Sequence, residues 1–224
     1  GVPGYNLYVG NLAGNEVYVV DTYRNAVEDT LLGFENNVWH LAITNDGEKL
    51  YVCTREGPVN APGKVFSVDL KSKLVSLIWS ETASDVFVAP DGEVIIISYL
   101  PYSEEAYLGK IDPVSDMIAY IDTLDIRDRG YNYQGVVFNV TSPILYAVNS
   151  GKRLFAYDYD QKELLRVYDN LVDPINMVIS PDQKLIYATA IGDRLVVFDV
   201  EHDSVLHVTG ANQLGSLALS PNGE

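Results

Sequence analysis

The sequence predicts an all-β fold built from repeated four-stranded antiparallel units, and three observations carry that prediction. Short β-branched and aromatic runs alternate with polar turns along all 224 residues. No stretch sustains the three-to-four-residue apolar spacing of a helix. The same pattern also returns at intervals of roughly 45 residues, the length of a four-stranded repeat.

The unit can be followed strand by strand. Its first strand is an apolar run ending in a polar turn: residues 41–47 (LAITNDG), 86–92 (VFVAPDG), 177–182 (MVISPD) and 217–223 (LALSPNG), with a degenerate copy at 136–142. The second follows that turn at 7–9, 50–52, 94–96, 145–147 and 186–188. The third ends in an aspartate, namely Asp21, Asp69, Asp112, Asp158 and Asp199. The fourth is a short apolar run such as 74–78, 117–121 or 164–168. Asp46-Gly47 and Asp91-Gly92 read as two-residue hairpin turns, and the third-strand aspartates suit turns closed by their own side chains.

The spacing supplies the topology. Tyr8, Tyr51, Ile95, Tyr146 and Tyr187 hold equivalent second-strand positions, 43, 44, 51 and 41 residues apart. Counting from Tyr187 through the chain end and on to Tyr8 gives one more interval of 45. The chain therefore opens on the second strand of one unit and ends on a first strand without partners. A ring needs that offset, because the last strand then covers the open edge of the first sheet. The expectation is a single β-propeller domain over residues 1–224, with five four-stranded blades and the C-terminal strand closing the first blade. The alternative is a piece of a larger ring.

Composition narrows the function classes. A net charge of −16, with 47% hydrophobic and 21% charged residues, fits a folded acidic globule and disfavours binding to nucleic-acid backbones. The single cysteine, Cys53, excludes an internal disulfide framework and a cysteine-based zinc site. No apolar run approaches the ~20 residues of a membrane span, so no membrane insertion is expected. The start, Gly1-Val2-Pro3-Gly4, has neither an initiator methionine nor a signal-type apolar run and reads as a mature or trimmed end.

Residues 7–11 (LYVGN) with 17–21 (VYVVD), and 50–54 (LYVCT) with 65–69 (VFSVD), resemble the YVTN-type β-propeller repeats of archaeal and bacterial surface-layer proteins. The Ser-Pro-Asp/Asn turns at Ser180 and Ser220 share the likeness, which runs over essentially the whole chain. Members of that family are usually seven-bladed, so the alternative to five blades is a part of a seven-bladed propeller. The resemblance implies an extracellular or cell-surface interaction module and no catalytic residue. The Gly-His and Trp-Asp signature of another propeller family is absent, since neither Trp39 nor Trp79 precedes an aspartate.

In a propeller the short turns leave one face and the longer connections leave the other, around the mouth of the central channel. The long connections here are 55–63, 99–106 and 124–134. Such loops, held by a rigid scaffold, are where binding residues concentrate. Tyr99 and Tyr102 in the second loop, and Arg127, Arg129, Tyr131, Asn132, Tyr133 and Gln134 in the third, combine rigid aromatic rings with planar hydrogen-bonding groups. They are the candidate contacts for a protein or glycan partner.

A second constellation comes from aligning the first strands. The residue just before each apolar run is His40, Asp85, Gly135, Asn176 or Ser216, one per unit. In a closed ring these converge on the channel mouth, where His40, Asp85 and Asn176 could ligate a divalent cation, the one cofactor considered. That gives the alternative reading, a metal-dependent hydrolase or lyase. No Gly-x-Ser-x-Gly elbow or glycine-rich phosphate loop is present, and only His40 among three histidines falls near the mouth. Asn139-Val140-Thr141 matches a glycosylation sequon but falls at the end of an expected inner strand, so it is discounted. With few acid–base groups in reach, the non-enzymatic interaction module is the favoured reading.

Overall fold

The apolar pieces of the repeat form strands because their β-branched and aromatic side chains fill both faces of a pleated backbone. A computed structural model of the chain describes residues 6–56, 63–80, 83–99, 105–125, 133–149, 153–168, 174–190, 194–202, 204–210 and 217. Among them lie nineteen strands and no helix. The first sheet has three strands, β1 (Asn6–Gly10), β2 (Val17–Asp21) and β3 (Ala26–Leu31). The second joins β4 (Asn37–Ile43), β5 (Lys49–Arg55), β6 (Gly63–Asp69) and β7 (Leu74–Trp79). The third joins β8 (Ala83–Val88), β9 (Val94–Tyr99), β10 (Glu105–Ile111) and β11 (Ile118–Asp125). The fourth runs through β12 (Tyr133–Phe138), β13 (Ile144–Asn149), β14 (Leu154–Asp158) and β15 (Glu163–Tyr168). The fifth runs through β16 (Pro174–Ile179), β17 (Leu185–Ala190), β18 (Arg194–Asp199) and β19 (Ser204–Gly210). In every sheet, neighbours in sequence are neighbours in space.

The chain divides into two compact units. Residues 1–123 carry the first three sheets, and residues 124–224 carry the fourth and fifth. Within the first unit, β5 shows how the sheets stack. Leu50 and Val52 pack with Val17, Val19 and Leu31 of the first sheet, whereas Tyr51 and Cys53 pack with Val86, Val94 and Ile96 of the third. The two-residue period of a strand thus feeds two cores from one segment, which is why its sequence reads as continuously apolar. Full burial of one such side chain, as at Leu50, contributes about 1.5–3 kcal/mol. In the second unit Tyr146, Val148 and Leu154 form one core with Met177, Ile186, Val196 and Phe198. The fourth strands β7 and β15 carry no buried residue.

The third-strand aspartates behave as their chemistry predicts. Asp21 accepts the N–H groups of Tyr23 and Arg24, Asp69 that of Ser72, and Asp112 that of Val114. Asp158 accepts from Asp160 and Gln161, and Asp199 from Glu201 and His202. Four residues after the aspartate the chain turns left-handed, at Asn25, Lys73, Asp116 and Lys162.

The Asp-Gly pairs do not form two-residue hairpins. Gly47 and Gly92 have φ of +72° and +93°, but Asp46 and Asp91 are not left-handed, as a type I′ turn would require. Instead Gly47 N–H donates to Thr44 O at 2.9 Å, and Thr44 N–H donates to Lys49 O at 3.0 Å, which makes a longer loop. What the two turns share is the aspartate side chain: Asp46 Oδ1 accepts from Glu48 N–H and Asp91 Oδ1 from Glu93 N–H, each at 3.0 Å. Thr44 Oγ1 donates to Asp46 Oδ1 at 2.6 Å, and Ser180 makes the same 2.6 Å bond to Asp182 in the fifth sheet. There Gln183, at φ +63°, takes the place of the glycine. Asn139 also lies beyond β12, in a turn where its Oδ1 accepts from Thr141, and not within a strand. The expected closing strand, apart from Leu217, lies outside the described residues.

Candidate functional site

Cross-strand register fixes which residues gather at the end of a sheet opposite these short turns. In the second sheet Asn37, Arg55 and Gly63 form one such terminal row. Close behind it the first strand bulges. The register shifts between Val38 and His40 in β4, Ala83 and Asp85 in β8, Tyr133 and Gly135 in β12, and Pro174 and Asn176 in β16. His40, Asp85, Gly135 and Asn176 are therefore equivalent, as the alignment of repeats expects, each being the first paired residue after a bulge. Ser216 lies outside the described residues. The bulge itself, and Trp39 as its unpaired residue in β4, are additions that the sequence did not announce.

In the first unit the bulge brings β4, β5 and β8 together around one cluster. His40 Nδ1 lies 3.1 Å from Asp85 Oδ1, at an angle that leaves this buried nitrogen without a hydrogen bond. On the carboxylate's other side Arg55 Nη2 stands 3.9 Å from Asp85 Oδ2. The Arg55 guanidinium also sits over the Trp39 ring, 4.7 Å from its centroid. Phe87 meets the His40 ring edge-on at 4.9 Å. Arg55 is only 3% exposed, whereas Trp39 is 38% exposed. Behind the cluster the Cys53 thiol is pushed far up by burial and, secondarily, by the Asp85 charge.

This arrangement offers one cation, one carboxylate, an imidazole and an indole. The charges of Arg55 and Asp85 offset each other, and the cation beside Asp85 opposes a metal ion on the same carboxylate. Of the three expected metal ligands the first unit brings together His40 and Asp85, and Asn176 belongs to the second unit. Among the described residues no group of three or more His, Cys, Asp or Glu is placed to hold a metal ion.

The expected loop contacts fall in two groups. Tyr102, Arg127, Arg129, Tyr131 and Asn132 lie outside the described residues. Tyr99 closes β9, and Tyr133 and Gln134 open β12, so these three are strand residues and not loop residues. The ladder accounts for the difference: Tyr99 pairs with Ala106 and Tyr133 with Asn149, which extends each strand into the expected connection. Arg55 and Gly63, at the expected limits of the first loop, pair with each other in the same way.

No protein-family model matches this sequence, and no curated protein matches it either.

Proposed function

We propose that the five sheets are blades of a closed β-propeller that serves as a rigid, non-enzymatic interaction module at the cell surface or outside the cell. It would bind a protein or glycan partner through the loops at the channel mouth, with Tyr99, Tyr102, Arg127, Arg129, Tyr131, Asn132, Tyr133 and Gln134 as contacts. One observation carries this reading. In the second and third sheets, the long connections leave the end that bears the first-strand bulge, while the opposite end is closed by short side-chain-locked turns. Bulges and long loops on a stiff scaffold are where proteins re-aim side chains for recognition. The likeness to surface-layer repeats supports the location, and the charge of −16 favours a partner that is not polyanionic.

Binding to arrays of extracellular proteins and of glycans tests the proposal, with Tyr131→Ala/Tyr133→Ala as the comparison. The expected result is a defined set of binders that the double variant loses while its melting temperature is unchanged. Full retention of every binder by the double variant would refute the role of the mouth loops.

A further inference from the structure

We infer that the Trp39–Arg55–His40–Asp85 cluster is a saccharide subsite, with the Trp39 ring stacked on the C–H face of a pyranose and His40 and Asp85 bonding its hydroxyls. The inference rests on the interaction-module reading above and narrows its partner class, at this position, to a neutral glycan.

Four features point the same way. Trp39 is the bulged residue of β4, so its ring is released from the cross-strand ladder and remains substantially exposed. Its ring is also braced. The nearly buried Arg55 guanidinium lies over it, which holds the indole in one orientation before any ligand arrives and reduces the ordering cost of binding. Beside it the His40 imidazole is 37% exposed while its buried Nδ1 faces Asp85 Oδ1 at 3.1 Å, so Nε2 is the ring nitrogen left for a ligand hydroxyl. Asp85 supplies acceptor lone pairs and His40 one ring nitrogen next to each other, which suits a hydroxyl that donates and accepts at once.

Charge selects among ligands. Arg55 and Asp85 offset each other, so the cluster needs no ionic ligand, and a chain of charge −16 repels polyanions. A neutral sugar ring, apolar on one face and hydroxylated at its rim, matches an aromatic platform edged by a few polar groups. The connection beginning at residue 56 leaves directly from Arg55, which places the cluster at the loop-bearing end of the second sheet.

The chain has two tryptophans, Trp39 and Trp79, so Trp79→Phe leaves Trp39 as the sole indole reporter. Emission is titrated with methyl β-glucoside, methyl β-galactoside, methyl α-mannoside and N-acetylglucosamine, with glucuronate as the acidic comparison. A saturable change is expected with at least one neutral sugar and a weaker one with glucuronate. On a glycan array Trp39→Ala should lose the signal, and His40→Ala should weaken it about tenfold or more at a temperature where its melt shows it folded. The inference is overturned if no neutral saccharide gives a saturable change, or if array binding survives in Trp39→Ala. Glycan binding lost in Tyr131→Ala/Tyr133→Ala but kept in Trp39→Ala would defeat the subsite and leave the interaction module standing. Absence of any protein or glycan binder would defeat both.

Discussion

The ion pair beneath Trp39 gives the most direct energetic test of the candidate site. Two unit charges 3.9 Å apart attract by about 4 kcal/mol at an effective dielectric constant of 20. Arg55 is 3% exposed and the Asp85 side chain 13%, so desolvation cancels much of that attraction while both partners are present. Removing one partner is different, because a buried charge then loses part of its compensation, at a cost below the about 3–5 kcal/mol of a fully uncompensated one. The Trp39 contact with the guanidinium is the same before and after a change at Asp85, so it enters the difference only when Arg55 itself is replaced. Asp85→Asn should therefore destabilise the first unit by about 2–3 kcal/mol, and Arg55→Met, which also loses the Trp39 contact, by a similar or larger amount. The double variant should cost little more than the worse single one, a coupling of about 2 kcal/mol. Both tryptophans lie in the first unit, so their fluorescence in a urea melt reports that unit. At about 1–3 kcal/mol per molar urea, Asp85→Asn should lower the midpoint by about 1–2 M. Single-variant losses that add within about 0.5 kcal/mol would refute the pairing.

Three further outcomes follow from the repeat and its turns. A Cβ on Gly10 would lie 2.5 Å from Val38 Cγ1, so Gly10→Ala should destabilise by about 1–3 kcal/mol, whereas Gly47→Ala meets nothing within 4 Å and should cost about 1 kcal/mol from its φ of +72° alone. Urea midpoints rank the two variants. The Asp46 and Asp182 carboxyls are held below the ordinary range chiefly by the Thr44 and Ser180 hydroxyls, and those of Asp69, Asp112 and Asp199 chiefly by backbone N–H groups. Folded values below the unfolded ones mean that their stabilisation is complete above about pH 4–5 and is lost as pH falls through the depressed values. Melts between pH 2 and 6 should show that loss, and Asp69→Asn should shrink it. The Cys53 thiol, raised by burial, should resist aromatic disulfide reagents in the native chain and react in full once the chain is unfolded.

How much was legible depended on the range of the interaction involved. The Asp21, Asp69, Asp112, Asp158 and Asp199 turns were readable because an aspartate caps N–H groups two and three residues away, and that geometry is local. The equivalence of His40, Asp85 and Asn176 was readable because repeats place equivalent residues at equivalent register. Asp46-Gly47 was misread because the dipeptide alone favours a type I′ turn, whereas the Asp46 side chain instead closes a longer loop onto Glu48 N–H, as Asp91 does onto Glu93 N–H. The bulge at Trp39 and its contact with Arg55 were not readable at all. They are decided by how β4 pairs with β5, sixteen residues along the chain, and no local signal records that register.

The proposed closing strand can be tested against the exposure pattern that motivates it. Leu50, Val94, Leu145 and Ile186 hold one position of the second strand in four sheets, and each is at most 1% exposed. Leu7 holds the same position in β1 and is 53% exposed, so among the described residues this position of the first sheet is the one left uncovered. Residues 217–221 (LALSP) repeat the pattern of 177–181 (MVISP), whose Ile179 pairs with Ile186 and Met177 with Ala188. The same register carried to β1 sets Leu219 opposite Leu7 and Leu217 opposite Val9. In a Cys53→Ser background, Leu7→Cys with Leu219→Cys, or Val9→Cys with Leu217→Cys, should oxidise to a disulfide within one chain. A loop of about 200 residues closed in this way should add about 5–5.5 kcal/mol before native-state strain is subtracted. Mass spectrometry and non-reducing gels distinguish the outcomes. A link within one chain in either pair supports a five-bladed ring closed by its own last strand, because β1 then has its cover. Links only between chains, or none in either pair, would refute it, because the cover of β1 would then have to come from another chain or from further repeats of a larger ring.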